Sequence, residues 1–459
     1  MKNDTICAIS TPLGIGGIGL IRLSGPDTYR IIKKIFMSKN EKIPVSKWKS
    51  HTVRYGYIVD NEKIVDEVLI TIMRKPKSYT REDMAEIGCH GGLAAMKSVL
   101  NLCLSRGARL ASPGEFTKRA FLNGRIDIAQ AESVMNIILS QTEKSLEVSI
   151  KQLKGSLSEK IQKLRDGIFK LLVQLETLID FSEEHVVEEI KPDIEGTIEK
   201  TCNNIENILK SGQTGKIFTE GIKAAIVGKP NVGKSSLLNI LTEDEKALVS
   251  EIPGTTRDAI ESIISIKGIP LKIIDTAGIR KPEGKIEVMG VDKARLWMEK
   301  AEIVLLLLDG SQTLDSLDMD LLERSGEKRR ILVINKIDLP LKIDEKRLEK
   351  FADNKEVVKI SAATGHGISM LYEKIYELIE SGAGTLKEPE FFLNLRQETI
   401  LKNVLQNLTE AKKAVNKNLS LDIIAEQIKF CLWDMDNITG KNLSDEIIDS
   451  IFDKFCIGK

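Results

Sequence analysis

The chain has 459 residues, enough for two to four domains, and 42% hydrophobic against 29% charged residues supplies material for more than one core. Lysine plus arginine equals aspartate plus glutamate at 67 each, so the formal net charge is zero; this excludes a strongly basic nucleic-acid binder, and any RNA contact must use a local patch. The six cysteines (Cys7, Cys89, Cys103, Cys202, Cys431, Cys456) form no CxxC pair, and the longest strongly apolar run, Ile303 to Leu308, is far short of the ~18 residues of a membrane span, so the reading is a cytoplasmic protein with no disulfide framework, zinc site or membrane helix and no signal peptide at its start.

Residues 1 to about 120 alternate short β-like runs, such as 18–22 and 65–72, with glycine-rich turns. Helices are expected around 27–36 and 92–105, which makes an α+β pattern. The period then changes. Leu157, Ile161, Leu164, Ile168, Leu171, Leu175 and Leu178 are spaced as a heptad seam, predicting a long helix packed on a partner helix of the same chain. Lys210 to Gly221, with Gly212, Gly215 and Gly221, reads as a linker.

From Ile222 to about Glu380, strands at 222–227, 260–267, 270–275, 303–309, 331–335 and 357–361 alternate with helices. That is a mostly parallel, doubly wound sheet, with Lys267–Gly268 as a tight reversal that makes one antiparallel edge pair. Ser381 to Gly384 reads as a second linker, and the chain is helical again from about 390. Ser444 reads as the N-cap of a last helix over 447–455, and Trp297 and Trp433 as core residues. The expected divisions are 1–119, an α+β domain; 120–215 and 383–459, two segments of one all-α domain; and 216–382, an inserted α/β domain.

The inserted domain carries the chemistry. Gly228 to Ser235 matches GxxxxGK[ST] between an apolar strand and a helical run. Backbone N–H groups from Asn231 to Ser236, Val232 and Gly233 included, can cradle phosphate oxygens; Lys234 reaches the β and γ phosphates, and the Ser235 hydroxyl suits Mg2+. Gly254, Thr255 and Thr256 follow in a segment without regular period. Asp275, Thr276, Ala277 and Gly278 end a strand, with the Asp275 carboxylate placed for the magnesium shell and the Gly278 N–H for the γ-phosphate. Asn335, Lys336 and Asp338 end another strand; a carboxylate there accepts both N–H groups of a guanine edge, which selects GTP and GDP over adenine nucleotides. Ser361 and Ala362 end the last strand, where the backbone can meet guanine O6. The position where a water-orienting Gln follows in Ras-like enzymes holds Ile279, so another polar group must act.

Asn231 in the phosphate loop, the run Gly254 to Asp258, the missing Gln and the flanking motifs (Asp4–Thr5–Ile6 with Gly16–Gly17, His90–Gly91–Gly92, Pro113 to Phe116, Arg119 to Gly124, and Cys456 to Lys459) together resemble the MnmE/TrmE family of tRNA modification GTPases. The resemblance covers essentially the whole chain. It implies a Ras-like G domain inserted in a helical domain, behind an N-terminal folate-binding-like domain. It implies K+ held by the Asn231 side chain, the carbonyls of Ser250 and Ile252 and an oxygen of Thr255, standing where an arginine finger would. Thr256 resembles the second Mg2+ ligand, and Glu287 the catalytic glutamate that orients water, ahead of Arg280 and Glu283, which read as solvated charges. Arg22, Glu86, Arg125 and Lys459 fall at the family's tetrahydrofolate contacts, for the 5,10-methylene or 5-formyl form; Arg125 stands where many members carry Lys. Cys456 is either a participant in that chemistry or structural, and His90 reads as a turn residue.

As the resemblance implies, the chain is a homodimer that joins an FAD-containing partner in a heterotetramer, hydrolyses GTP to GDP and phosphate, and adds an aminomethyl or carboxymethylaminomethyl group to C5 of the wobble uridine of tRNA. A ribosome-assembly GTPase and a GTP-sensing scaffold without chemistry of its own are the two rival readings.

Overall fold

The computed structural model describes residues 4–39, 44–181, 184–243, 262–274, 296–351, 356–383 and 388–459. The chain forms two compact units, one of 1–135, 158–176 and 425–459, the other of 136–157 and 177–424.

The first unit is built on a seven-stranded sheet. Its strands are β1 Ile6–Ile9, β2 Ile18–Ser24, β3 Phe36–Ser38, β4 Thr52–Asp60, β5 Lys63–Met73, β6 Met84–His90 and β7 Arg109–Leu110, in the order β3-β4-β5-β6-β2-β1-β7. All pairs are antiparallel except β1 with β7. Alternation along β2 sends Ile21 and Leu23 into a core shared with α1 Thr28–Ile35 and α2 Leu93–Ser105, and leaves Arg22 on the other face opposite Glu86 of β6. The helices α3 Glu115–Leu122, α4 Ile128–Leu139 and α14 Asp445–Phe452 gather Phe121, Ile128, Ala131, Ile448, Phe452 and Phe455 in a separate cluster. The Ser444 side chain accepts the Ile447 N–H, so the expected N-cap is present.

The heptad seam lies on α6 Ser156–Phe181, and all seven of its apolar residues are buried. Its partner is α13 Leu421–Thr439, joined to it by the Arg165–Asp436 and Lys429–Glu176 ion pairs. Trp433 on α13 corrects the sequence reading: it is 56% exposed, because the inward positions of that helix go to Ile428, Cys431, Leu432 and Met435.

The second unit contains a six-stranded sheet in the order β13-β12-β11-β8-β10-β9, from β8 Ile222–Val227, β9 Ser262–Ile266, β10 Ile269–Ile273, β11 Ile303–Asp309, β12 Arg329–Asn335 and β13 Val357–Lys359. It is parallel except for the β9–β10 hairpin, the antiparallel edge pair that the sequence reading expected, whose turn takes positive φ at both Lys267 and Gly268. Buried alternation along β8 feeds two cores, Ala224 and Ile226 on one face and Ala225 and Val227 on the other. The first of these also takes Val148 of α5 Glu143–Leu153, Phe218 of α7 Glu184–Glu220, and Phe392.

The expected linker at 210–221 is not one. It is the last part of α7, which runs to Glu220. Gly212 and Gly215 serve close approach rather than flexibility: a Cβ on Gly215 would lie 2.0 Å from the Phe391 carbonyl oxygen, and one on Gly212 would lie 2.3 Å from Leu393 Cγ. Ser381 to Ala383 likewise belong to a helix, α11 Ile368–Ala383, and Gly384 lies outside the described residues. The 391–393 segment leads into α12 Leu395–Asn416, capped by a box in which Asn394 and Gln397 exchange side-chain-to-backbone bonds.

Candidate functional site

The phosphate loop connects β8 to α8 Lys234–Glu243, so its amides stand at a helix N-terminus. Asn231 at its apex takes φ +64°, a left-handed conformation that asparagine tolerates better than branched residues. Lys234 directs its ammonium back into the loop, donating to the Gly228 carbonyl at 2.8 Å and the Lys229 carbonyl at 2.6 Å. Burial lowers the Lys234 pKa to about 8. Ser235 and Ser236 open the first turn of α8.

Asn335 ties this loop to the base-recognition side. Its amide nitrogen donates to the Val232 carbonyl at 2.8 Å, and its amide oxygen accepts the Ala362 N–H at 2.9 Å. The tie leaves no room beside it: a Cβ on Gly233 would meet Asn335 Nδ2 at 2.2 Å. Lys336 pairs with Asp309 at the end of β11, Nζ to Oδ2 2.7 Å. Burial works to raise the Asp309 pKa, but bonds from Lys336 and Ser311 overrule it and hold the carboxyl below its usual range. Asp338 is exposed, with Oδ1 accepting the Ser361 hydroxyl at 2.6 Å. The structure thus brings Asn231, Val232, Gly233, Lys234, Asn335, Lys336, Asp338, Ser361 and Ala362 to the C-terminal edge of one sheet, where doubly wound sheets bind ligands. Asp309 was missed from sequence; its only signal was its place at the end of the apolar run of β11.

The remaining nucleotide and ion residues named from sequence, Ser250, Ile252, Gly254, Thr255, Thr256, Asp275, Thr276, Ala277, Gly278 and Glu287, lie outside the described residues, as do Ile279, Arg280 and Glu283. Among the described residues no cluster of three or more His, Cys, Asp or Glu could hold a metal ion. The implied cation set is amide, carbonyl and hydroxyl oxygen, which is hard-ligand chemistry suited to an alkali cation rather than to zinc. The described part of that set, Asn231, stands at the loop apex.

The second constellation is in the first unit. Arg22 donates through Nε and Nη2 to Glu86 Oε1 at 2.9 and 2.8 Å, and through Nη1 to the Gly458 carbonyl at 3.2 Å. The Ser10 hydroxyl donates to the same carbonyl at 3.0 Å, and the Phe116 N–H to the Lys459 carbonyl at 3.2 Å. Gly458 sits at φ +89°, and a Cβ there would lie 2.4 Å from the Ile9 carbonyl oxygen. The segment Cys456–Lys459 is therefore laid against β1. Tyr79 was not foreseen: the Arg125 guanidinium lies 4.6 Å from its ring centroid and that of Arg22 5.7 Å. Arg22, Glu86, Arg125 and Lys459 are thus neighbours of one region. Lys459 has its pKa lowered by burial and by Arg22, against the pull of Cys456 and Glu86. Cys456 is an exposed free thiol. His90 ends β6 opposite Ile18 rather than forming a turn, and its Nδ1 lies 2.6 Å from Asp66 Oδ1.

Comparison with known proteins spans both regions. Residues 5–125 match the family model described as the GTP-binding protein TrmE N-terminus, and residues 128–456 the model described as the MnmE helical domain. A protein of Thermoanaerobacter pseudethanolicus named tRNA modification GTPase MnmE is 44% identical over 461 residues, covering 100% of both chains. One of the same name from Carboxydothermus hydrogenoformans is 45% identical over 466 residues, again covering 100% of both. Among solved structures, the G domain of the T. maritima FeoB iron transporter is 32% identical, covering 34% of this chain and 98% of its own, at a TM-score of 0.26.

Proposed function

The chain belongs to the MnmE family of tRNA modification GTPases, and from that premise we propose a K+-dependent GTPase whose N-terminal unit carries tetrahydrofolate for wobble-uridine modification. That it is a GTP-hydrolysing enzyme acting in tRNA modification follows from the family itself. Lys234 and the loop amides bind the phosphates; Ser235, with Thr256, holds Mg2+. Asp275 and Gly278, with Thr276 and Ala277 between them, read the γ-phosphate. Asp338 selects guanine while Ser361 holds its carboxylate in place. Asn231, with Ser250, Ile252 and Thr255, holds K+, which supplies the positive charge that an arginine finger supplies elsewhere. Glu287 orients water.

In the N-terminal unit Glu86 accepts the amino donors of the pterin, and Arg22, Arg125 and Lys459 meet its anionic tail. Cys456 stands beside them. The domain reading is 1–119 for folate binding and dimerisation, 120–215 with 383–459 for the helical domain, and 216–382 for the G domain. The protein works in the cytoplasm as a homodimer that joins an FAD-containing partner.

The observation that carries this reading is the convergence on Arg22 of Glu86, the Gly458 carbonyl and Tyr79, with Arg125 on the same Tyr79 ring. Calorimetric titration of the full chain with 5-formyl-tetrahydrofolate tests it. Binding that Arg22→Ala weakens by ten-fold or more supports the reading; absence of binding by the unaltered chain sinks it. The ion is tested by GTP turnover in KCl against NaCl at equal ionic strength. A preference for K+ that Asn231→Ala abolishes is expected; equal rates in both salts reject it.

A further inference from the structure

Lys229 is the second residue of the phosphate loop, yet its ammonium is committed elsewhere. It lies 2.8 Å from Asp315 Oδ2 and 2.7 Å from Asp318 Oδ2, at the start of α9 Ser316–Arg324. These carboxylates also build the helix start: Asp315 is the N-cap, accepting the Leu317 and Asp318 amides, and Asp318 accepts the Asp315 amide in return. The clamp is thus rigid on its acidic side. Its Asp318 arm is also dry, with the Lys229 side chain 10% exposed and that of Asp318 4%, whereas Asp315, 52% exposed, closes the clamp from the solvent side. Burial works to lower the Lys229 pKa, and the bonds to Asp315 and Asp318 more than offset it, so the charge is kept.

The backbone of the same residue has a second task. Its carbonyl accepts the shorter of the two hydrogen bonds that hold Lys234 Nζ. The backbone on either side is already confined: a Cβ on Gly228 would lie 2.5 Å from the Leu307 carbonyl oxygen, and Pro230 restricts the residue before it. Anchoring the Lys229 side chain adds a further constraint on the carbonyl between them.

We propose that Lys229 is a positioning residue for phosphate binding: clamped between Asp315 and Asp318, it fixes the carbonyl that aims Lys234. The chain of contact runs from α9 through the Lys229 ammonium to its carbonyl, and from there to the Lys234 ammonium. It acts on ligands only through the groups that Lys234 reaches, the β and γ phosphates, and so it rests on the reading of Lys234 as the phosphate-binding lysine. Guanine and the α-phosphate lie beyond its influence. A brace that merely held the domain together would affect every ligand alike.

The test is competition binding of GTP, GDP and GMP to the full-length protein, for the unaltered chain and for Lys229→Met, Lys229→Arg, Asp315→Asn and Lys234→Ala. Lys229→Met should weaken GTP and GDP by about ten-fold while GMP changes less than about two-fold. Lys229→Arg should restore most of the loss. Asp315→Asn, which keeps a capping side chain but removes one charge, should show the same split at smaller amplitude, and it supplies the test if Lys229→Met does not fold. Equal weakening of GMP and GDP, or unchanged GDP affinity in both Lys229→Met and Asp315→Asn, overturns the proposal. Lys234→Ala separates the two readings: if it binds GDP as tightly as the unaltered chain, the assignment of Lys234 itself is at fault.

Discussion

A lysine that waits for phosphate must be held without it. Lys234 is held by two carbonyls, and burial brings its pKa down to about 8. A phosphate oxygen nearby favours the charged form and raises that value. Binding of GDP above pH 8 should therefore take up a proton, roughly 0.5–1 per site at pH 8.5, where free lysine would give none. Calorimetry in buffers of different ionisation enthalpy measures this. Lys234→Arg should abolish the uptake, since guanidinium stays charged. His90 offers a second titration. Its bond to Asp66 raises its pKa, so the pair's contribution is present at low pH and lost as pH climbs through the raised value. The His90 ring resonance should titrate above the usual ~6.5, and Asp66→Asn should bring it back.

The sequence motifs named Lys234, Asn335 and Asp338, because phosphate and guanine recognition demand those residue types at fixed spacing. They were silent on what each residue leans on. Nothing in the spacing connects Asn335 to Val232, Lys336 to Asp309, or Arg125 to Tyr79, since those partners lie 103, 27 and about 46 residues away. Asn335→Ala strands two buried backbone groups, the Val232 carbonyl and the Ala362 N–H. It should cost about 2–4 kcal/mol of stability in urea unfolding of the full chain, together with a loss of GDP affinity.

At the scale of elements, strands and long helices were legible because buried alternation and the heptad repeat are strong periodic signals. The apolar runs at 222–227 and 303–309 became β8 and β11 with the same bounds. Failures came where a residue type has two uses. Gly212 and Gly215 read as flexible, but in α7 they are the smooth side of a helix against which 391–393 packs. Trp433 read as core, but its helix turns other residues inward. The 456–459 segment shows the same ambiguity resolved by geometry: Gly458 is where the chain must approach β1 too closely for a side chain. Gly458→Ala should lift the segment from β1 and weaken 5-formyl-tetrahydrofolate binding by about ten-fold or more, read by calorimetry.

At the scale of the molecule, periodicity cannot say which core a helix face joins. Val148 lies on α5, far before the G-domain motifs, yet it is buried in the same cluster as Ile226, Leu271 and Leu305. Val148→Ala should destabilise the protein by about 1–3 kcal/mol, read by urea unfolding of the full chain. The Gln152 amide oxygen adds to this attachment by accepting the Phe392 N–H at 3.0 Å.

One further bond in that unit ties movement to movement. The Thr142 hydroxyl, which also caps α5, donates to the Gly268 carbonyl at 2.9 Å, at the turn of the β9–β10 hairpin. In sequence that hairpin separates the segment holding Thr255 and Thr256 from the one holding Asp275 to Gly278. A hydrogen bond stretches by only a few tenths of an ångström before it fails. Any larger excursion of the hairpin turn must therefore either drag the first turn of α5 along or let go of it, and the same hydroxyl would feel both outcomes.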